Sequence, residues 1–99
     1  MAELKYVKLS DEEVSSGLEG APGWALENGQ LARVFSFTNY LAGVDFAASV
    51  GQAAEGLNHH PDILITWCKV RVSVNTHDVG GISPYDFELV RRVDALPSK

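Results

Sequence analysis

The sequence predicts an α+β fold, a four-stranded antiparallel sheet with helices packed on one face, in the order helix, then β-β-α-β-β-α. Two pairs of strand-like runs, residues 24–37 and 63–76, flank a long segment of helical spacing at 38–57. Serine-initiated capping signals open one helix before the first pair and another after the second.

The first helix is expected over residues 11–18. Ser10 with Glu13 three positions on forms a capping box, and Gly20, Pro22 and Gly23 end the helical run. Residues 24–27 and 30–37 read as a hairpin about Asn28-Gly29, which supplies the positive φ angles of a two-residue turn. In its second strand Leu31, Arg33, Phe35 and Phe37 share one face, and Ala32, Val34 and Ser36 the other.

Across 38–57, Tyr40, Leu41, Val44, Ala47, Ala48 and Ala54 fall at helical intervals, giving the expected buried stripe of a helix ending at Gly56. Residues 63–67 form a short apolar strand, with Cys68 in the hairpin. Val70, Val72, Val74 and Thr76 then alternate strictly with Lys69, Arg71, Ser73 and Asn75. Gly80-Gly81 is a turn without a P-loop pattern before it or a Lys-Ser or Lys-Thr pair after it. Ser83-Pro84-Tyr85-Asp86 opens the last helix, with Phe87, Val90 and Val93 as its buried stripe.

At 99 residues the chain has room for one domain with a modest core, so self-association as a homodimer or homotetramer is expected. A net charge of −5, with its eight Lys and Arg dispersed, argues against binding nucleic acid directly. One cysteine, Cys68, forms neither an internal disulfide nor a C-x-x-C motif. The opening Met-Ala-Glu-Leu-Lys lacks a signal-peptide pattern and no stretch is long enough to span a bilayer, so a cytoplasmic protein with no membrane partner is expected.

The histidines are the chemical signal. His59 and His60 enter the third strand and His77 leaves the fourth, so an antiparallel hairpin brings all three to one end of the sheet. Imidazole titrates near pH 6.5, so a protonated ring as acid can stand beside a neutral ring as base, which suits a dehydration. Glu55, Asn58, Asp62, Asp78 and Asp86 surround the cluster, and any of them could fix a tautomer through the second ring nitrogen. Against this, adjacent loop histidines are ordinarily polar surface, and Asp86 has the position of a routine helix cap. A metal site is not expected, because neighbouring histidines diverge on an extended chain and the spacing is unlike that of zinc ligands. Trp24 reads by composition as a core or rim aromatic.

Residues 55–62, Glu-Gly-Leu-Asn-His-His-Pro-Asp, followed by the 69–74 strand and by Thr-His-Asp-Val-Gly-Gly-Ile-Ser at 76–83, resemble the signature of the pterin-4a-carbinolamine dehydratases. The similarity extends to Gly23-Trp24, the 31–37 strand and Asp86. It implies dehydration of 4a-hydroxytetrahydropterin to quinonoid dihydropterin and water, without metal or organic cofactor, downstream of an aromatic amino acid hydroxylase. By position, it implies His59 and His77 as the acid-base pair and His60 holding the pterin or its hydroxyl. Glu55, Asp86 and Trp24 would line or support the pocket, with Asn58 and Asp78 behind them. Tyr85 departs from the pattern, since some members have a basic residue there, and Asn58 stands where several have aspartate. Two alternatives follow from the same resemblance. One is a non-catalytic partner protein like animal relatives that serve a homeodomain transcription factor, using Phe87, Val90 and Val93 or the 38–57 helix. The other is a dehydratase for pterins of molybdenum cofactor metabolism.

Overall fold

In the computed structural model, residues 4–97 are described, so the Met-Ala-Glu of the opening segment lies outside them. The elements are α1 (Asp11–Glu19), β1 (Ala25–Glu27), β2 (Gln30–Ser36), α2 (Tyr40–Leu57), β3 (Asp62–Thr66), β4 (Lys69–Val74), a one-turn 3-10 helix (His77–Val79) and α3 (Pro84–Asp94). The four strands pair antiparallel in the order β1-β2-β4-β3, which gives the expected α+β architecture.

Local signals explain most boundaries. Both capping boxes form: Ser10 Oγ accepts from the Glu13 amide at 3.1 Å, and the Ser10 amide donates to Glu13 Oε1 at 2.8 Å. Asn28 and Gly29 turn the first hairpin at φ 51° and 79°. The second hairpin is shorter than expected. Trp67 is 80% exposed in the turn rather than part of the strand, and Cys68 takes the left-handed position at φ 60°. α2 runs one residue past Gly56 because Asn58, at φ 53°, supplies the left-handed cap, a conformation that its short polar side chain tolerates.

The core lies between one face of the sheet and the helices, with Leu31, Phe35, Val70, Val72 and Val74 meeting Phe46, Val50, Ala54, Leu89 and Val93. The other sheet face leaves Val34 and Leu64 exposed. The α2 stripe differs from the expected one. Gly43, Phe46, Ala47, Val50 and Ala54 face inward, whereas Tyr40, Leu41 and Ala48 are exposed. Gly43 explains the rotation, since a Cβ there would stand 3.3 Å from Val70 Cγ2 and the bare backbone lets α2 lie close on β4. In α3 the buried residues are Asp86, Leu89, Val90 and Val93, and Phe87 is only half-buried. Phe87 instead lies over Gly17 of α1, where a Cβ would come within 2.5 Å of its ring.

Candidate active site

β3 begins where β4 ends, with Asp62 opposite Ser73, so the loop entering β3 and the loop leaving β4 lie side by side. The Asn58 cap turns the chain out of α2, and the His59 amide donates to Ala54 O at 3.1 Å, which fixes His59 against the helix end. Its imidazole is directed inward. Nε2 lies 2.6 Å from Asp86 Oδ1 and 3.4 Å from Thr76 Oγ1, and the side chain is 11% exposed.

Asp86 has no exposed surface, so its carboxylate needs partners for every charge-bearing lone pair it takes out of water. The Thr76 hydroxyl donates to Oδ2 at 2.7 Å and the Ser83 amide to the same oxygen at 2.8 Å. Because the single Thr76 proton goes to Asp86, the Ser83 hydroxyl donates to Thr76 across 2.6 Å and accepts from the Tyr85 amide at 3.2 Å. Two of the donors to Asp86 are neutral, and the third is a ring that can gain and lose a proton. A carboxylate accepts only, so Nε2 of His59 bears the proton and Nδ1 is left as the basic nitrogen of the neutral ring.

His60 points elsewhere. Its Nε2 meets Glu55 Oε1 at 3.1 Å, with both side chains largely exposed. His77 is exposed at the start of the 3-10 turn, one residue beyond Thr76, and a Thr76–Gly81 bridge closes the base of that turn. Asp78, beside it, accepts from the Tyr6 hydroxyl at 3.1 Å. Partial desolvation, followed by the Asp78 hydrogen bond and charge, holds the Tyr6 phenol above its ordinary value of 10.0. A cavity of about 420 Å³ opens over His59, lined by Tyr6, Leu57, Asn58, His59 and Tyr85. That volume is within the range of ligand-binding clefts, about 300–1,000 Å³.

The fold thus gathers His59, Asp86, Asn58 and, at the rim, Asp78. Trp24 is not among the residues lining this cavity. It is buried in the core, its Nε1 donating to both Asp94 oxygens at 3.0 Å and its ring set edge-on to Phe35. Thr76, Ser83, Tyr6 and Leu57 were not singled out as site residues from sequence. Thr76 and Ser83 were legible only as a strand end and a cap, and no local pattern ties Tyr6 to a loop 72 residues away. Among the described residues, no group of three or more His, Cys, Asp or Glu side chains is arranged to hold a metal ion, and no helix is long and apolar enough to cross a membrane.

Comparison with known proteins places the chain in a family. The family model described as pterin 4 alpha carbinolamine dehydratase matches residues 7–96. Proteins assigned by name to pterin-4-alpha-carbinolamine dehydratase are similar over most of both chains. One from Chloroflexus aurantiacus is 38% identical over 89 residues, covering 90% of this chain and 96% of its own. Another from Natronomonas pharaonis is 40% identical over 89 residues, covering 90% and 95%. The solved structure of a transcriptional coactivator/pterin dehydratase from Brucella melitensis superposes with a TM-score of 0.83 at 27% identity, covering 89% of this chain and 96% of that one. With the match running from residue 7, before α1, to residue 96, past the end of α3, and so through every helix and strand of the fold, this chain belongs to the pterin 4 alpha carbinolamine dehydratase family.

Proposed function

We propose that the chain dehydrates 4a-hydroxytetrahydropterin to quinonoid dihydropterin and water, as in tetrahydrobiopterin recycling, with His59, His60 and His77 as its working residues. The observation that supports this reading best is the inward His59 ring, backed by the fully buried Asp86 and opening on a ligand-sized cavity. In the elimination the C4a–O bond breaks, the departing hydroxyl receives a proton, and N5 gives one up as the N5=C4a bond forms. Neutral His59 accepts the N5 proton at Nδ1, and Asp86 stabilises the imidazolium through Nε2. His77, on the adjoining loop, delivers the proton to the hydroxyl. His60, with Glu55, holds the outer edge of the pterin. Asn58 sets the His59 loop and Asp78 supports the rim from the His77 turn. Trp24 supports the site only through the core.

The test is dehydration of synthetic 4a-hydroxytetrahydropterin by the purified chain, followed by ultraviolet absorbance. His59→Ala and His77→Ala are each expected to lower kcat by about 100-fold or more. A double variant with full activity rejects the reading.

A partner-binding role is the second reading, favoured by the coactivator half of the Brucella melitensis protein's name and by exposed Tyr40 and Leu41 on α2. Leu41 is 67% exposed, whereas Val90 and Val93 are in the core, so such a surface uses α2 rather than the α3 stripe. Self-association through α2 in a cytoplasmic homo-oligomer fits the same residues. Sedimentation of a Leu41→Glu variant as a smaller species than the wild type is the expected result.

A further inference from the structure

Tyr6 is a large aromatic residue on a segment without regular secondary structure, 53% exposed, yet held at the cavity by several contacts. Its hydroxyl donates to Asp78, its ring stands edge-on to Tyr85 with centroids 5.7 Å apart and planes at 74°, and the Leu9 amide ties the segment to Ile82 O at 2.7 Å. Tyr85 in turn packs on the His59 ring, centroids 5.8 Å apart and planes at 43°. Three rings in series therefore form one side of the 420 Å³ cavity, whose lining includes no Lys or Arg side chain among the described residues.

Resting on the dehydratase reading, we propose that Tyr6 and Tyr85 form an aromatic wall that grips the flat pterin ring in place of a cationic anchor, and that the site thereby selects pterins without a phosphate. The reasons are physical. An aromatic ring offers contact area and a stacking or edge-on partner to any flat heterocycle, whatever its substituents. A phenol can give a phosphate one neutral hydrogen bond, but it brings no positive charge to offset the anion. The charged groups bonded to the wall or to the ring behind it are carboxylates, Asp78 on Tyr6 and Asp86 on His59, and these repel an anion. Tyr6 and Tyr85 are then specificity-determining residues rather than proton-transfer groups.

The experiment measures steady-state kinetics on 4a-hydroxytetrahydropterin, and equilibrium binding of a dihydropterin with a neutral side chain beside its monophosphate ester. The full chain and four variants are used. Tyr6→Ala and Tyr85→Ala are expected to raise KM about tenfold while kcat falls less than about threefold, the pattern of lost ring contact. Tyr6→Phe, which keeps the ring and loses the Asp78 bond, is expected to stay within about threefold of wild-type KM. Wild type should bind the neutral dihydropterin at least about tenfold more tightly than the ester, and Tyr85→Arg should narrow that gap. Tyr6 is exposed, so Tyr6→Ala reads the wall even if Tyr85→Ala unfolds. Wild-type turnover with an unchanged KM in Tyr6→Ala, or equal binding of the two dihydropterins, overturns the wall alone. A wild type that neither dehydrates the substrate nor binds either dihydropterin overturns the dehydratase reading with it.

Discussion

Helix α3 has a carboxylate near each end, and the two are set in contrasting surroundings. Asp86, in the first turn, is wholly buried and takes its hydrogen bonds from a hydroxyl, a backbone amide and the His59 imidazole. Asp94, at the last residue, is 29% exposed and bonded to the Trp24 indole and to the Arg33 guanidinium at 3.1 Å. A carboxylate beside a permanent cation holds two elements together and does little else. One beside an imidazole responds to every proton that ring takes up. The Trp24 end of the molecule is therefore read as structural and the His59 end as chemical.

The largest expected effect breaks the chemical end. Asp86→Asn keeps the size of the side chain and removes the charge that stabilises a His59 cation, so kcat should fall by about 100-fold or more in the dehydration assay. Asp86→Ala should also unfold more readily, by about 2–4 kcal/mol in urea titration, because the Thr76 hydroxyl, the Ser83 amide and the His59 ring all lose a buried partner. Asp94→Ala sharpens the contrast from the other side. Losing the Trp24 and Arg33 bonds should cost about 1–2 kcal/mol of stability, and kcat at saturating substrate should remain near wild type. A fall in kcat matching that of Asp86→Asn would erase the distinction.

The smallest effect concerns a third acid on α3. Glu88 is held down to about 2 by hydrogen bonds from Arg91 and Arg92. A carboxyl depressed in the folded state contributes its stability above its unfolded value near 4.5 and loses it as pH falls towards about 2. With Arg91 exposed and Arg92 partly so, that contribution should stay under about 1 kcal/mol. Glu88→Gln should therefore be less stable than wild type at neutral pH by under about 1 kcal/mol, and the two unfolding midpoints should converge as pH falls from about 5 towards about 2, a difference readable by circular dichroism.

The sequence made some of this plain and hid the rest for identifiable reasons. Ser10 with Glu13, Ser83 with Asp86, and Asn28-Gly29 are local patterns whose partners lie within three residues, so the helix starts and first hairpin could be read directly. The meeting of the His59 loop with the His77 loop followed from strand pairing alone. The α2 stripe did not follow, because Tyr40, Leu41 and Ala48 are as apolar as the residues that are buried, and only the contact of Gly43 with β4 decides which face turns inward. Trp24 was assigned to the pocket by resemblance, while its indole partner Asp94 lies 70 residues away and leaves no trace in the local sequence. His60 reads as the equal of His59 in a His-His pair, yet the left-handed turn at Asn58 precedes one ring that faces inward and one that faces solvent.

The Ser83–Asp86 cap has an evolutionary consequence. Its acid closes the first turn of α3 and also receives the His59 ring, so under the proposed mechanism durability of the fold and speed of the reaction are inherited through the same pair of oxygens. Descendants that relax one property through position 86 forfeit the other, and little neutral drift is open to them there.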